Sequence, residues 1–421
     1  NNESIPFVNI VLDSTQMGDV SDDNGKFRIE NIKPGTYNLT ASFIGFKTVY
    51  IYEIQVGSAA TVDLDIAMAE ESAGLDEIVL NTNRIEKSEE SPLSKQTIGV
   101  TEIFRNPGGN RDISRVVQIL PGVSTTLAFR NDLIVRGGAP NENRFYLDGI
   151  EIPNINHFAT QGSSGGPVGM INVNFIRNVD FYSGAFPANR GNTMSSLMEF
   201  EQITGNREKF GGTFMIGSSD IGLTLQGPTG KNSSFILSAR RSYLQFLFEA
   251  LKLPFLPTYN DFQYKHFFEI DDKNQLIITG IGAIDNFELN QSVNDGETDK
   301  ETIDRNNYIL GNLPVQEQWN YAIGANWKHF SKNSFQNVVI SRNHLNNTAV
   351  KYKDNIEVPE NLQLDYESEE IETKLRVEST KKKNGWTWNI GGGLQDVIYK
   401  NSTFREQIVN GEVALVNFDS E

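Results

Sequence analysis

Residues 110–150 read NRDISRVVQILPGVSTTLAFRNDLIVRGGAPNENRFYLDGI, and this stretch decides the fold. Apolar residues at helical spacing predict a short amphipathic helix over 111–120, with Asn110 as its N-cap. Two strands are predicted after the helix, over 131–136 and 145–150, with a turn rich in glycine and proline between them. A helix followed by two strands indicates an α+β domain in this part of the chain.

The composition limits the class of protein. A chain of 421 residues has room for two or three domains. Its formal net charge of −17, from 54 acidic and 37 basic residues, argues against a nucleic-acid-binding protein, which would carry a basic patch. The absence of cysteine excludes a disulfide framework, a thiolate metal site and a cysteine nucleophile. No apolar run reaches the ~18–20 residues of a membrane-spanning helix, so a passage through a membrane would require a β-barrel.

Residues 1–70 are predicted to form a small β-sandwich. Short apolar or alternating runs occur at 6–12, around Phe27 and Ile29, and at 62–66. Turns rich in glycine, proline and aspartate separate these runs. Several short strands at regular spacing are typical of a sandwich of this size.

An acidic cluster at Asp19–Gly25 allows two interpretations. A calcium loop would need glycine where Asn24 stands and a helix on each side, so a plain β-turn is favoured. The run SDDNGKFRIENIKPGTYNLTASFIGF, residues 21–46, resembles the carboxypeptidase regulatory-like domain. The resemblance covers nearly all of 1–70 but lacks the expected first strand. Because the chain opens on Asn1-Asn2 rather than Met, inside an apparent strand, we expect it to be a piece of a longer precursor.

A linker is predicted over residues 71–83. It begins with polar and small residues, a composition typical of a flexible joint. A short apolar, β-prone segment follows, which could pair as an added strand with the open sheet edge of a partner. The alternative makes this segment a strand of one of the two flanking domains. The segment consists of Leu75, Asp76, Glu77, Ile78, Val79 and Leu80.

From Phe210 onward the apolar pattern has a period of two, which predicts strands. Apart from a tight first hairpin, short and long connections between these strands alternate, as periplasmic turns and extracellular loops do in outer-membrane barrels. The short turns are predicted at 228–232, 271–274, 331–333 and 380–385, and the long connections at 242–261, 285–318 and 344–366. The nine predicted strands lie near 210–218, 221–227, 233–241, 262–270, 274–284, 319–329, 334–343, 367–379 and 386–397.

One strand predicts which side chains face lipid. Trp319 and Trp327 lie on the same face, ~26 Å apart at ~3.3 Å per residue, close to the ~25 Å height of an apolar band between aromatic girdles. We expect the odd-numbered residues of 319–327 to face lipid, and Gly324 to face the lumen and to tolerate a small polar residue. A water-soluble sandwich strand is the alternative.

The order LPGV, IVRGG, FYLDGI resembles the plug domain of TonB-dependent outer-membrane receptors. The run YSGAFPANRGNTMSS, residues 182–196, resembles the subgroup that carries a regulatory-like domain, although Ser183 stands where many members have arginine. The resemblance implies that 75–80 is the TonB box and that Arg136 pairs with barrel carboxylates. An internal salt bridge is the alternative for Arg136, and an unrelated α+β domain is the alternative for the whole stretch. The resemblance also implies that substrate contacts the plug's apical loop, with candidates Asn154, Asn156, His157 and Phe158.

A catalytic constellation is missing from the sequence. The four histidines, at 157, 266, 329 and 344, form no HExxH motif and no cluster. The GxSxG spacing at 162–166 is followed by Pro167 and more loop residues, whereas a nucleophile elbow needs a strand before it and a helix after it. We therefore predict a protein that is not an enzyme and that needs no cofactor and no metal.

These observations together predict a mainly β protein in four parts. They are a small N-terminal β-sandwich (1–70), the linker (71–83), an α+β plug domain (84–205) and the first part of a transmembrane antiparallel β-barrel (206–421). Because family members have a 22-stranded barrel, we expect the barrel portion to be incomplete.

The resemblance implies a receptor in the bacterial outer membrane, with the first domain and the plug on the periplasmic side. It would import siderophore-bound iron, cobalamin, an oligosaccharide or a peptide. Its partners would be TonB with the inner-membrane energising complex, outer-membrane lipid, the nutrient and a surface lipoprotein, but no nucleic acid. A signalling or adhesion receptor and a secreted carbohydrate-binding protein are the alternatives.

Overall fold

The chain is mainly β in the computed structural model, which confirms the fold class predicted from the sequence. A four-stranded sheet, an α+β domain and a ten-stranded antiparallel sheet follow each other along the chain. None of the helices in the described part is both long and apolar enough to cross a membrane. The structure describes residues 4–13, 15–33, 35–56, 62, 64–68, 70, 95–106, 112–125, 130–160, 165–217, 219–331, 333–383, 386–409 and 412–420.

The first domain is built on four antiparallel strands. They are β1 (Asn9–Leu12), β2 (Gly18–Val20), β3 (Gly35–Ser42) and β4 (Val49–Val56), and their order in the sheet is β2-β1-β3-β4. The side chains of one face form the core, which consists of Val8, Ile10, Leu12, Leu39, Ala41 and Ile54.

The strand predicted around Phe27 and Ile29 is wrong. Both side chains pack against the core, but the backbone there is not part of the sheet. Carboxylates bind the N–H groups that a strand would use: Asp22 Oδ1 accepts from the Asn24 and Lys26 N–H groups. Local side-chain hydrogen bonds of this kind compete with a sheet ladder. They also explain the acidic cluster as a turn.

The end of the first domain differs from its prediction in the same way. Leu64 and Ile66 pack against the core without entering the sheet, so the strand predicted at 62–66 is also wrong. The alternation of apolar residues identified the buried side chains and not their backbone pairing.

The α+β domain contains a five-stranded sheet with two small helices. Its helices are α1 (Val100–Arg105) and α2 (Ile113–Val117), with single 3-10 turns at Pro140–Glu142 and Val173–Phe175. Its strands are β5 (Lys95–Gly99), β6 (Val123–Ser124), β7 (Ile134–Val135), β8 (Asn143–Leu147), β9 (Ile150–Ile152), β10 (Asn156–His157), β11 (Val168–Gly169), β12 (Ile176–Tyr182) and β13 (Ser196–Gln202).

The larger sheet has the order β5-β12-β13-β8-β9, in which β8 and β13 are parallel and the other pairs are antiparallel. Two-stranded pairs, β6 with β7 and β10 with β11, lie outside this sheet. Residues 95–105 contribute the edge strand β5 and the helix α1 to this domain.

Two local predictions within the deciding stretch are corrected. The N-cap of α2 is Asp112, whose side chain accepts a hydrogen bond from the Ser114 N–H, and the proposed cap Asn110 lies outside the described residues. The strand predicted over 145–150 is a hairpin, β8 and β9, with Asp148 and Gly149 as its turn. Their φ angles of +48° and +89° are those of a tight hairpin turn, a position that favours the Asp-Gly pair.

The remainder of the chain forms one antiparallel sheet of ten strands in sequential order, with short helices in two of its connections. The helices are α3 (Leu244–Ala250) and α4 (Lys300–Asn312), with 3-10 turns at Lys353–Asn355 and Pro359–Asn361. The strands are β14 (Gly211–Ile216), β15 (Asp220–Gly230), β16 (Ser233–Ser242), β17 (Phe255–Asp271), β18 (Asn274–Leu289), β19 (Val315–Ser331), β20 (Ser334–Tyr352), β21 (Leu362–Lys383), β22 (Trp386–Val409) and β23 (Glu412–Ser420).

The nine predicted strands correspond to β14–β22, and the alternation of connection lengths is confirmed. Two residues separate the strands at one end of the sheet, at 231–232, 272–273, 332–333 and 384–385. At the other end the long connections are 243–254, 290–314 and 353–361, whereas the first and last connections of the sheet, 217–219 and 410–411, are short. Most strands are longer than predicted. They extend toward the long connections, where polar residues make the alternation less visible.

The outward and inward sides predicted for β19 are observed, whereas contact of the outward side with lipid stays a prediction. Trp319 and Ile323 point outward and are 37% and 51% exposed, whereas the even-numbered Asn320 and Ala322 point inward and are buried. The inner face is occupied by the α+β domain, because inward residues of the sheet belong to the same buried cluster as that domain's core. These inward residues are Ile281, Ala283, Ala322 and Val339.

The expected tolerance of Gly324 is wrong. A Cβ at this position would lie 2.6 Å from Ile150 Cγ2 and 2.6 Å from the Ile340 carbonyl oxygen. The inner face at this point is therefore a packed contact with β9 rather than an open lumen.

Candidate functional site

The tip of the β8–β9 hairpin is anchored on the inner face of the ten-stranded sheet. The Asp148 carboxylate accepts hydrogen bonds from the Gln202 backbone N–H (3.0 Å) and side-chain amide (2.8 Å), and from Thr279 Oγ1 (3.1 Å). It also forms an ion pair with Lys265 Nζ at 3.2 Å. Both side chains of the pair are almost fully buried.

The backbone of the same turn is bound as well. Asn326 Nδ2 donates to the Asp148 carbonyl oxygen at 3.0 Å, and Arg376 Nη2 donates to the Gly149 carbonyl oxygen at 2.9 Å. Strands β13, β17, β18, β19 and β21 therefore all contribute to the contact with one two-residue turn.

His157 is the centre of a second buried contact, nearer the end of the sheet that carries the long connections. Its Nδ1 lies 2.7 Å from Asp285 Oδ1, and its Nε2 lies 3.0 Å from Asp261 Oδ2. The imidazole stacks on the Tyr259 ring with centroids 4.1 Å apart and an interplanar angle of 25°. The next residue, Phe158, donates its backbone N–H to Asp285 Oδ2 at 2.8 Å.

The charges around His157 determine its protonation. Burial lowers the pKa of a histidine, but the charge of Asp285 and the hydrogen bonds to Asp261 and Asp285 outweigh burial here and raise the pKa of His157 to about 9. His157 is therefore an imidazolium at neutral pH, and each of its two N–H groups donates to a carboxylate.

Arg240 on β16 extends this contact to β11. Its Nε lies 2.9 Å from Asp261 Oδ1, and its Nη2 donates to the carbonyl oxygens of Gly169 and Met170 at 3.1 and 2.9 Å. Two cations and two carboxylates, counting His157 and Asp285, thus form a buried set without net charge.

Strands β10 and β11 are in turn connected to the start of α2. Asp112 Oδ2 accepts from the Gly169 N–H at 2.9 Å and from Asn131 Nδ2 at 2.7 Å, and Ser114 Oγ donates to Asn156 Oδ1 at 3.0 Å. Burial raises the pKa of Asp112, although the backbone hydrogen bonds from Ser114 and Gly169 lower it. Polar contacts therefore run without interruption from the inner face of the sheet to α2.

Arg190 forms a third contact between the two parts. Its Nε is 2.6 Å from Glu199 Oε1 within the α+β domain, and its Nη1 is 3.2 Å from Glu378 Oε1 on β21. Its guanidinium lies over the Tyr146 ring, 4.9 Å from the centroid. Arg376 pairs with the same glutamate at 2.6 Å.

Arg136, predicted to contact barrel carboxylates, is exposed. Its Nη2 donates to Ser183 Oγ at 3.2 Å, and both residues belong to the α+β domain. Among the described contacts, Arg190 makes the ion pair that was expected of Arg136. A role of Arg136 toward the barrel stays a prediction.

The candidate substrate residues of the apical loop are mostly buried. Asn154, Asn156 and His157 are 2%, 0% and 0% exposed, and Phe158 is half-buried. In this conformation the first three cannot touch an external ligand, and His157 is a contact between the two parts instead. The predicted TonB-binding segment 75–80 lies outside the described residues.

Sequence reasoning missed Asp148, Asp261 and Asp285 as site residues. The Asp-Gly pair at 148–149 is a hairpin signal, and a carboxylate at the tip of a hairpin was available as a clue. Asp261 and Asp285 are acidic residues at buried, inward positions of β17 and β18, but the sequence offers no means of pairing them with His157. The described residues contain no group of three or more His, Cys, Asp or Glu side chains that could hold a metal ion.

Comparisons with known proteins agree with this architecture. Residues 1–80 match the family model of the CarboxypepD_reg-like domain, and residues 87–195 match that of the TonB-dependent Receptor Plug Domain. The chain thus carries a regulatory-like domain followed by the plug domain of TonB-dependent receptors, as the resemblance implied, and such receptors are not enzymes. No curated protein matches the sequence.

Solved structures of receptors have the same fold. The ferric enterobactin receptor PfeA of Pseudomonas aeruginosa matches with a TM-score of 0.52 and 12% sequence identity, covering 77% of this chain and 51% of that chain. The siderophore receptor PirA of Acinetobacter baumannii matches with a TM-score of 0.50 and 13% identity, covering 74% and 48%. The chain therefore spans about half the length of the solved structures it matches.

Proposed function

We propose that this chain is the regulatory-like domain, the plug and part of the barrel of an outer-membrane receptor that imports a scarce or large nutrient. The observation that carries the proposal is the contact between the plug and the inner face of the ten-stranded sheet. A plug-domain match lies against the inner face of an antiparallel sheet whose outer face exposes large apolar residues, including Trp319 and Ile323. Such a sheet suits a lipid environment on one side and a closed lumen on the other.

The plug would block the lumen until it is moved. Buried hydrogen bonds and ion pairs hold the plug at Asp148, His157 and Arg190. Such contacts fit a plug that stays in place at rest, because their polar groups can bind water when the plug shifts. Energy for the shift would come from TonB and the inner-membrane energising complex. The nutrient class, whether siderophore-bound iron, cobalamin, an oligosaccharide or a peptide, is best identified by mass spectrometry of ligands that co-purify with the receptor.

Segment 75–80 is proposed as the point where TonB binds. Its apolar, β-prone sequence can supply backbone hydrogen bonds to an open sheet edge of the partner. Ile78→Pro removes a backbone N–H and fixes φ, so it should abolish added-strand pairing, whereas Ile78→Val should preserve it.

The measurement is energised uptake of the nutrient together with its binding at the cell surface. Loss of uptake with normal binding in Ile78→Pro, and normal uptake in Ile78→Val, supports the assignment. Equal uptake by the two variants contradicts it. A receptor that signals or adheres without transport would show binding but no energised uptake even with the native segment.

A further inference from the structure

Three residues of the sheet, Tyr259, Asp261 and Asp285, surround the imidazole of His157, and we call the space between them the slot. Asp261 and Asp285 receive the two N–H groups on opposite edges of the imidazole, at 3.0 and 2.7 Å. Tyr259 covers one face of the ring at 4.1 Å. The two carboxylates are 1% and 0% exposed, and Tyr259 is fully buried. Two acceptors and an aromatic face in this arrangement are complementary to a planar or compact organic cation.

The negative charge of Asp285 in the slot is neutralised by the plug. The described hydrogen bonds to Asp285 both come from the plug, from His157 Nδ1 and from the Phe158 N–H. Asp261 would keep Arg240 if the plug loop left, but Asp285 would lose both donors. A carboxylate in a confined site is strongly disfavoured without a counter-ion, so departure of His157 creates a demand for another cation.

We propose that Tyr259, Asp261 and Asp285 form a binding site for an organic cation of the imidazolium, guanidinium or ammonium class, which His157 occupies while the plug is seated. During import, a cationic group of the substrate would bind there when the apical loop moves, and it would lower the cost of releasing His157. This second statement rests on the proposed function, whereas the existence of the site does not.

A chemical-rescue experiment tests the site. His157→Ala removes the ring and keeps the loop, so free imidazole can enter the slot as the probe. Thermal unfolding of the purified full-length receptor is followed in detergent while imidazole is added at pH 6, where the probe is mostly protonated. We expect a saturable rise of Tm in His157→Ala and none in the wild-type protein, whose slot is filled.

The matched control is the double variant His157→Ala with Asp285→Asn, which should bind imidazole at least about tenfold more weakly because the slot has lost one charge. Acetate at the same ionic strength should have no effect on either variant. The proposal is overturned if imidazole stabilises the double variant as strongly as the single one, or if the wild-type protein responds like His157→Ala.

A second measurement applies if His157→Ala does not fold. The pKa of His157 is raised from its ordinary 6.5 to about 9, so its stabilising charge is fully present below pH 6.5 and is lost as the pH rises through 9. The wild-type protein should therefore lose more stability between pH 8 and pH 10 than His157→Gln does. Equal losses would overturn the proposal.

Other groups around the slot must be considered in this comparison. Asp261, Asp285, Tyr259 and Arg240 face the ring from the sheet, Asp220 receives the Tyr259 hydroxyl, and Asp112 lies on the plug side. All of them are present in both proteins, so the comparison reports the proton of His157 together with the change that its loss causes in these neighbours. Neither measurement requires TonB or uptake, so failure of the import proposal would leave the binding result intact.

Discussion

Asp148→Asn should loosen the plug without unfolding the sheet around it. Asparagine fits the same turn, because Asn and Asp both tolerate the left-handed backbone found at this position (φ +48°). The substitution replaces one acceptor oxygen with a donor and removes the charge that faces Lys265. The ammonium of Lys265 is then left buried with neutral acceptors, such as the Gln202 carbonyl oxygen at 2.7 Å, and without a counter-ion.

The expected cost follows from these contacts. Removing one partner of a buried ion pair typically costs ~3–5 kcal/mol, since the other charge stays without a counter-ion. Adding Lys265→Met to Asp148→Asn should recover part of that loss, because the unpaired charge then disappears as well. The plug surface offers a control in Glu201→Gln, whose pair with Arg177 is largely exposed and should be worth ~0–1 kcal/mol.

The assay follows the plug separately from the sheet. The 421 residues contain no cysteine, so Ser124→Cys, at an exposed position of the plug, can carry a single fluorescent label. Urea titrations should show the label's transition at lower urea in Asp148→Asn, and partly restored in the variant that also carries Lys265→Met. The reasoning is refuted if Asp148→Asn and Glu201→Gln have the same transition, or if the second substitution adds its full cost to the first.

Three further predictions concern other contacts. Gly324→Ala brings a Cβ to 2.6 Å from Ile150 Cγ2 and should weaken the contact between plug and sheet by ~1–3 kcal/mol. In the control Gly280→Ala the nearest neighbour of the new Cβ is at 3.8 Å, and no weakening is expected. Equal urea midpoints for the two variants would contradict this prediction. Ile323→Arg should lower the yield of receptor folded in the outer membrane, as an outward charge costs ~2–4 kcal/mol there. Arg190→Lys should raise sensitivity to large antibiotics, because one ammonium replaces a planar fork that reaches two carboxylates; unchanged sensitivity would argue against a seating role.

The sequence predicted best what depends on local pattern. A period of two and the alternation of short and long connections predicted the antiparallel sheet and the outward and inward sides of β19, because side chains alternate between the two faces of a strand. Pattern was weaker where side chains compete with the backbone. Around Phe27 the alternation is that of a strand, but the carboxylate of Asp22 takes the N–H groups of the turn before it.

The candidate site could be predicted only in part, because its partners are far apart in the chain. His157 was identified as a functional candidate from its place in a polar loop, but its role depends on Asp261 and Asp285, more than 100 residues away. Gly324 shows the same limit. Its inward position was predictable. The close approach of Ile150, whose Cγ2 would lie 2.6 Å from a Cβ at position 324, depends on how the β8–β9 hairpin packs against the sheet.

The distribution of apolar and charged contacts bears on how the plug could move. Sheet residues contribute few members to the shared buried cluster, such as Ile281 and Ala322, while charged groups at Asp148, His157 and Arg190 hold three separate points. Separating apolar surfaces costs free energy in proportion to area, ~25 cal/mol per Å². Ion pairs that become hydrated, or that exchange partners, recover much of what they lose. A plug held mainly by polar contacts can therefore have one specific seated position and still be released one contact at a time. The slot around His157 is the contact that can exchange one cation for another without leaving a buried carboxylate unpaired.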